Sequence, residues 1–208
     1  MTTMTQNSGA RVGRPRRDAR SGDDRPVRQQ ILDAAAYLFA SQGYAATSTR
    51  QIAERAGMRQ ATLYYHVDGK AQILSELLDQ TVRPTLEVLG KIEALPDPEA
   101  ALAELAATDV DTLVRAPHRL ATLYSSPELA GPEFAEFRAH RDTLRRAYVD
   151  LVTRIGRVPD PEFIGRCCLQ LVELATDLAM SGSADDALPH RIAAACLTLA
   201  GVPEGDRS

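Results

Sequence analysis

The chain contains no tryptophan, and aromatic residues make up only 5% of it. That scarcity disfavours an all-β sandwich, whose strands draw on aromatic and β-branched side chains. Cysteine is almost missing. Cys167, Cys168 and Cys196 are the whole set, an odd number with two adjacent. Such a set suits neither a disulfide framework nor a zinc site, and buried, reduced thiols are expected. No apolar run approaches the roughly 18–20 residues needed to span a bilayer. The stretch Met1 to Gly22 is polar and Arg-bearing, without the apolar segment of a secretory signal. A cytoplasmic protein with no membrane partner is expected. Lysine is scarce too: apart from Lys70 and Lys91, every basic residue is arginine.

What is present is ordinary for a globular protein. The 208 residues are 44% hydrophobic and 25% charged, with a net charge of −4. These values exclude a collagen-like or disordered chain and permit a real core. The net charge hides a division. Residues 1–75 carry 11 Lys/Arg against 6 Asp/Glu, a net of +5, and residues 76–208 carry 13 against 22, a net of −9. A basic first third on an acidic remainder hints at nucleic-acid contact at one end.

Helical periodicity runs throughout. Residues 1–23 lack it and read as a flexible basic arm. A first helix is expected from an N-cap at Asp24, with Pro26 in its first turn. Ile31, Leu32, Ala35, Leu38 and Phe39 form one face, and Gly43 ends it. Ser48 to Gln51 reads S-x-x-Q, a capping box that opens a second helix. A third is expected from Gln60 to about Val67. A fourth starts at Lys70 or Ala71 and continues to about residue 90, with Pro84 as a kink or joint. Further helices are expected near 98–115, 118–126, 132–155, 160–181 and 186–200. The expected fold is all-α. A three-helix unit over 24–75 is joined through the fourth helix to a larger helical domain over 76–208.

The segment Thr47 to Lys70 has helix-turn-helix grammar. Ile52 and Ala53 lie in its first helix, Gly57 at the turn, and Met58 and Leu63 beyond. Ala53 must be small because the second helix crosses close to it. This segment resembles the tetracycline-repressor (TetR) family of bacterial regulators. The residues that carry the resemblance are Gly43-Tyr44, Thr47-Ser48-Thr49-Arg50, Ile52-Ala53, Ala56-Gly57, Thr62-Leu63-Tyr64-Tyr65-His66 and Lys70. The match covers about residues 28–78. Val67 departs from it, since many members carry Phe there, and the effect should fall on packing.

The resemblance implies DNA contacts, and the residue chemistry agrees. Thr49, at a helix N-terminus, suits a phosphate. Tyr65, His66 and Lys70 match family positions that touch the DNA backbone. Gln60, Ala61, Thr62 and Tyr64 lie on the exposed start of the recognition helix. There Gln pairs with adenine edges, and the Ala and Thr methyls meet a thymine methyl. Arg50 has the reach for guanine O6 and N7 or for a phosphate. Arg14, Arg16 and Arg17, in Gly-Arg-Pro-Arg-Arg, resemble an AT-hook core. They suit either a narrow minor groove or non-specific attraction.

Residues 80–208 contain no catalytic motif, and neither an enzyme nor a cofactor nor a metal site is expected. His118, His140 and His190 are widely separated, and Asp185-Asp186 read as helix N-terminal charges. By resemblance, this domain binds a small effector and forms a homodimer. Ligand candidates are Tyr124, Phe134, Phe137, Tyr148, Phe163 and Met180, with His118, Gln170, Glu173 and Asp177 as polar partners. The acidic balance disfavours a highly anionic ligand, and a mainly apolar one is expected. Dimer candidates are Ile164, Cys168, Leu171, Val172, Ala175 and Ala179, then Ile192, Ala195, Cys196 and Leu199. The implied function is a ligand-responsive repressor on a palindromic operator, with the fourth helix moving on ligand binding. A DNA-binding or nucleoid-type regulator without an effector is the alternative.

Overall fold

The computed structural model describes residues 25–116, 123–124, 126–203 and 205. The expected arm, with Arg14, Arg16 and Arg17, lies outside them, as do Asp24 and most of the helix expected over 118–126. Among the described residues the chain is helical and has no strand. Its α-helices are α1 (Val27–Gln42), α2 (Thr49–Arg55), α3 (Gln60–His66), α4 (Lys70–Asp79), α5 (Arg83–Glu93), α6 (Pro98–Arg115), α7 (Ala135–Ile155), α8 (Pro161–Met180) and α9 (Leu188–Leu199). Two short 3-10 turns, Pro127–Ala130 and Pro132–Phe134, precede α7.

Local chemistry accounts for the boundaries. Pro26 stands at the N-cap of α1, and the Gly43 N–H closes its end on the Phe39 carbonyl. Ser48 and Gln51 form a reciprocal capping box at α2. Asp97 and Asp160 cap α6 and α8, each with proline at the next position, where no intrahelical N–H is lost.

The fourth helix does not run to residue 90. It stops at Asp79, and α5 begins at Arg83. The Thr81 hydroxyl donates to the Leu78 carbonyl, which ends α4 from the side chain. Pro84 lies in the first turn of α5, where its missing N–H costs nothing, so it starts a new helix and does not kink an old one. The long helix expected from 132 likewise begins as a 3-10 turn and becomes α-helical at Ala135.

Two cores result. The second is built by α5, α6, α7, α8 and α9, around Leu102, Leu105, Val110, Tyr148, Leu151 and Val172. The first joins the inner faces of α1–α4 (Ile31, Phe39, Ile52, Leu63, Leu74, Leu78) to Leu129, Phe134, Phe137 and Leu144. Phe134 is fully buried, with its ring edge-on to Tyr44, 6.2 Å between centroids. The first core therefore reaches from the N-terminal helices into the start of α7. A division between residues 75 and 76 falls inside α4. Leu86 and Tyr124 pack against both cores.

The second core is held tightly at one place. A Cβ on Gly165 of α8 would lie 2.7 Å from Val149 Cα of α7, so only glycine permits the two backbones to approach this closely.

Candidate DNA-reading face and effector cavity

The turn between α2 and α3 needs Gly57, whose φ of 69° is left-handed. Beside it, the Met58 N–H returns to the Ala53 carbonyl at 2.9 Å. With Ile52, Ala53 and Leu63 turned into the first core, the other face of α3 is left to solvent.

That outer face carries the sequence-derived residues Gln60, Ala61, Thr62, Tyr64 and Tyr65, all exposed, Tyr65 at 87%. Gln60 Nε2 donates to Thr49 Oγ1 at 3.1 Å, and Thr49 Oγ1 lies 3.0 Å from the Tyr64 hydroxyl. The start of α2 is thus tied to the start of α3. Arg50 is exposed and pairs, among the described residues, with Glu54, one turn along, at 2.8 Å. Such a solvated pair is weak and readily exchanged for another anion. His66 is half-buried, edge-on to Tyr65. Its carbonyl accepts from Arg28, which also holds Glu76 of α4 at 3.0 Å. Arg28 therefore anchors the end of α3 to both α1 and α4.

Lys70 is placed differently from the other expected contacts. Its ammonium donates to the Tyr44 carbonyl at 2.8 Å and sits 4.1 Å above the Tyr44 ring. Partial burial holds its pKa below the usual lysine range. Its charge in this structure fastens α4 to the α1–α2 loop. Arg59 joins this face although the sequence reading did not single it out. It stands at the N-cap of α3, is exposed, and has no ion pair among the described residues. Its position one residue before the recognition helix was the available signal.

The second site lies where the two cores meet. A cavity of about 10 Å³ is lined by Thr81, Val82, Asp109, Leu113, Tyr124, Arg141, Leu144, Leu169 and Glu173. That is room for about one water. Tyr124 donates to Thr81 Oγ1 at 2.5 Å, across the α4–α5 break. Arg141 pairs with Glu173, and its guanidinium carbon lies 4.1 Å from the centre of the Tyr124 ring. Asp109 is buried, with Thr85 Oγ1 at 3.1 Å and the Tyr148 hydroxyl at 3.2 Å as donors. Burial pushes its pKa up to about 7, against the lowering effect of those two hydrogen bonds. Burial raises Glu173 as well. Thr176 Oγ1, one turn along α8 from Glu173, is buried without a partner among the described residues.

Among the expected ligand residues, Tyr124 and Glu173 line this cavity. Tyr148 supports it from behind through Asp109. Phe134 and Phe137 do not belong to it; both are packed into the first core. Phe163, Gln170 and Asp177 are exposed on α8, although Gln170 donates to Glu173 at 2.8 Å. His118 and the Met180 side chain lie outside the described residues.

The expected dimer residues also divide. Cys168, Val172, Ala175 and Cys196 have no exposed surface and Ile192 has little, so they join helices within one chain and are closed to a second copy. The Cys168 and Cys196 thiols are reduced, each 3.8 Å from the other residue's carbonyl oxygen. Ile164, Leu171, Ala179 and Ala195 are half-buried and Leu199 is exposed. The outer stripe of α8 is instead Phe163, Cys167, Leu171 and Leu174, with Phe163 at 60% exposure. Two adjacent apolar stripes run along this helix, and periodicity alone does not say which faces the chain's own core.

Comparison with known proteins settles the family. Residues 31–77 match the family described as bacterial regulatory proteins, tetR family. Over its whole fold the chain is similar to AmtR of Mycobacterium smegmatis, with 34% identity, a TM-score of 0.77 and 91% of each chain covered. The chain belongs to the TetR family. It is thus a member of a family of DNA-binding transcriptional regulators, not enzymes. The KstR2 repressor of Rhodococcus jostii is 45% identical over 51 residues, 24% of this chain and 25% of that protein. The first curated relatives are matched over only about a quarter to two fifths of their own length. AibR, solved in complex with isovaleryl coenzyme A and operator DNA, shares the TetR fold at a TM-score of 0.65 and 20% identity, covering 85% of this chain and 98% of its own. Among the described residues no helix is long and apolar enough to cross a membrane.

Proposed function

We propose that this TetR-family chain is a ligand-responsive repressor that binds a palindromic operator as a homodimer and is released from it by a small molecule. The observation that carries the DNA reading is the outer face of α3. Gln60, Ala61, Thr62, Tyr64 and Tyr65 face solvent together, with Thr49 and Gln60 already bonded to each other. Gln60 and the Ala61 and Thr62 methyls read base edges. Thr49, Tyr65, His66 and Arg59 address phosphates, and Arg50 exchanges Glu54 for DNA. Lys70 acts from behind, by fixing the loop before α2. Arg14, Arg16 and Arg17 of the arm add charge from outside the described residues.

Two heads about 34 Å apart read a palindrome, so a two-fold dimer is needed. The Phe163, Leu171, Leu174 and Leu199 surface on α8 and α9 is the apolar face for it. The effector site is the cavity below the α4–α5 break. Its Tyr124–Thr81 hydrogen bond and the Tyr124 and Leu86 contacts with both cores couple it to the head. A ligand that favours the DNA-incompetent arrangement by about 1–3 kcal/mol suffices to release the operator. The lining sets Asp109, Glu173, Arg141, Tyr124 and Thr81 beside the aliphatic Val82, Leu113, Leu144 and Leu169, so the mainly apolar ligand expected from the sequence gives way to one that joins an apolar part to a hydrogen-bonding group.

The small volume of this cavity, about 10 Å³, favours the second reading, a regulator without an effector. One experiment separates them. The purified protein selects its sites from a random DNA pool, and the selected DNA is then titrated with metabolite fractions. Sequence-specific selection supports the head assignment. Release by a low-mass fraction supports the effector, and retention under every fraction supports the second reading.

A further inference from the structure

The cavity has an unbalanced inventory of charge. It holds two carboxyl groups, Asp109 and Glu173, and one guanidinium, Arg141. Arg141 is committed to Glu173 and sits over the Tyr124 ring. Asp109 is left with two neutral donors, the hydroxyls of Thr85 and Tyr148, and no cation within hydrogen-bond distance. A buried carboxyl without a counter-charge is costly, and one more positive charge would balance the site. An anionic guest would meet both carboxyls. A neutral one would leave Asp109 as it is.

We propose that this cavity takes a small organic cation, an alkylammonium or guanidinium group, with Asp109 as its counter-ion and the Tyr124 face as its platform. The inference rests on the effector reading and supplies the chemical class of the ligand. Arg141 now occupies that platform as an internal stand-in. The guanidinium over the ring shows that Tyr124 and Glu173 already accommodate a cation. About 10 Å³ of free space does not admit a guest beside it, so Arg141 turns outward still paired with Glu173, and the guest takes its place on the ring as the second positive charge. The Arg141 side chain is 22% exposed, which gives it a route outward to solvent. The exchange would disturb the Tyr124–Thr81 bond at the α4–α5 break, and so reach α4. Burial also raises the pKa of Asp109, so binding a cation would ionise it and expel its proton.

The test uses the full-length protein and three probes of one size: n-butylammonium, n-butanol and n-butyrate, at matched ionic strength. Ligands of about five heavy atoms bind at best in the millimolar range, so titrations extend to about 50 mM. Calorimetry in two buffers of different ionisation enthalpy counts protons. The expected result is binding of butylammonium alone, with proton release at about pH 6 that vanishes near pH 8.5. Asp109→Asn should weaken it by about tenfold or more. Should that variant fail to fold, Arg141→Leu keeps the test alive, because vacating the platform should tighten butylammonium binding severalfold. Release of pre-selected DNA is measured in parallel. Butylammonium binding through Asp109 without DNA release upholds the cation site and overturns the effector reading. Butanol or butyrate binding and releasing DNA overturns the cation site and leaves the effector reading intact. Binding of none of the three overturns the cation site.

Discussion

Replacing Asp109 by asparagine should make the protein more stable at neutral and alkaline pH. The ordinary carboxyl value is 3.8, and burial raises it to about 7 in the folded chain. Between those two values the folded state holds a proton that the unfolded state has lost. Stability is therefore highest in acid and falls as pH rises toward the folded pKa, by about 1.4 kcal/mol per unit. From pH 5 to pH 8 the loss amounts to about 2–3 kcal/mol. Asparagine keeps the size and the acceptor for Thr85 but does not titrate, and its amide can donate to the Tyr148 oxygen. The assay is urea unfolding of both proteins at pH 5, 6, 7 and 8, at one protomer concentration because a dimer's stability depends on it. Other carboxyls impose their own slopes, with opposite sign at Asp142, whose pKa is lowered by Arg145 and Arg146. They cancel in the difference between the two proteins. Parallel stability curves, within about 0.5 kcal/mol over the range, would refute a buried acid without a counter-charge.

Other outcomes follow from the same structure. Gly165→Ala forces α8 away from the α7 backbone and should cost about 1–3 kcal/mol in a denaturant titration; an unchanged midpoint would contradict the close approach. Phe134→Ala should lose about 3–5 kcal/mol, a core-sized cost for a residue that the linear order places far from the reading head. Tyr65→Ala should weaken DNA binding about equally on all sequences, whereas Gln60→Ala should also relax one base position, by about 1–3 kcal/mol in competition gel shifts. Deleting residues 1–20 should weaken DNA binding and flatten its dependence on salt, and an unchanged slope would exclude a phosphate role for the arm.

Much of the head could be read from the chain. The Ser48/Gln51 box, Gly57 and the apolar triplet Ile52, Ala53 and Leu63 act within a few residues of one another, and local rules govern such distances. The break after Asp79 was harder. A proline tolerates both a kink and a first turn, and the deciding contact is the Thr81 hydroxyl on Leu78. On α8 periodicity did not separate the buried stripe of Cys168, Val172 and Ala175 from the outer one of Phe163, Leu171 and Leu174, because two apolar stripes share one helix. Asp109 did leave a trace. It falls in register with Leu102, Leu105, Ala106 and Leu113, an acid on the inner face of α6, all buried in the structure. What periodicity lacks is the partner list, since Thr85, Tyr148, Tyr124 and Arg141 come from α5, α7 and the segment before α7. Lys70 turned inward for a similar reason: Tyr44, which holds it, is 26 residues away.

The first core carries a consequence for how such regulators are recombined. Because Phe134, Phe137 and Leu144 complete the packing of α1–α4, the DNA-reading unit is not a detachable cassette. A chimera that grafts residues 24–75 onto a foreign sensing body would leave Leu74 and Phe39 facing a surface shaped for other side chains. A graft that also carries the segment from Leu123 to Leu144 would keep its own floor. Swapping specificities among relatives thus requires two discontinuous pieces of chain to travel together, and changes at the start of α7 are constrained by the packing of α1–α4.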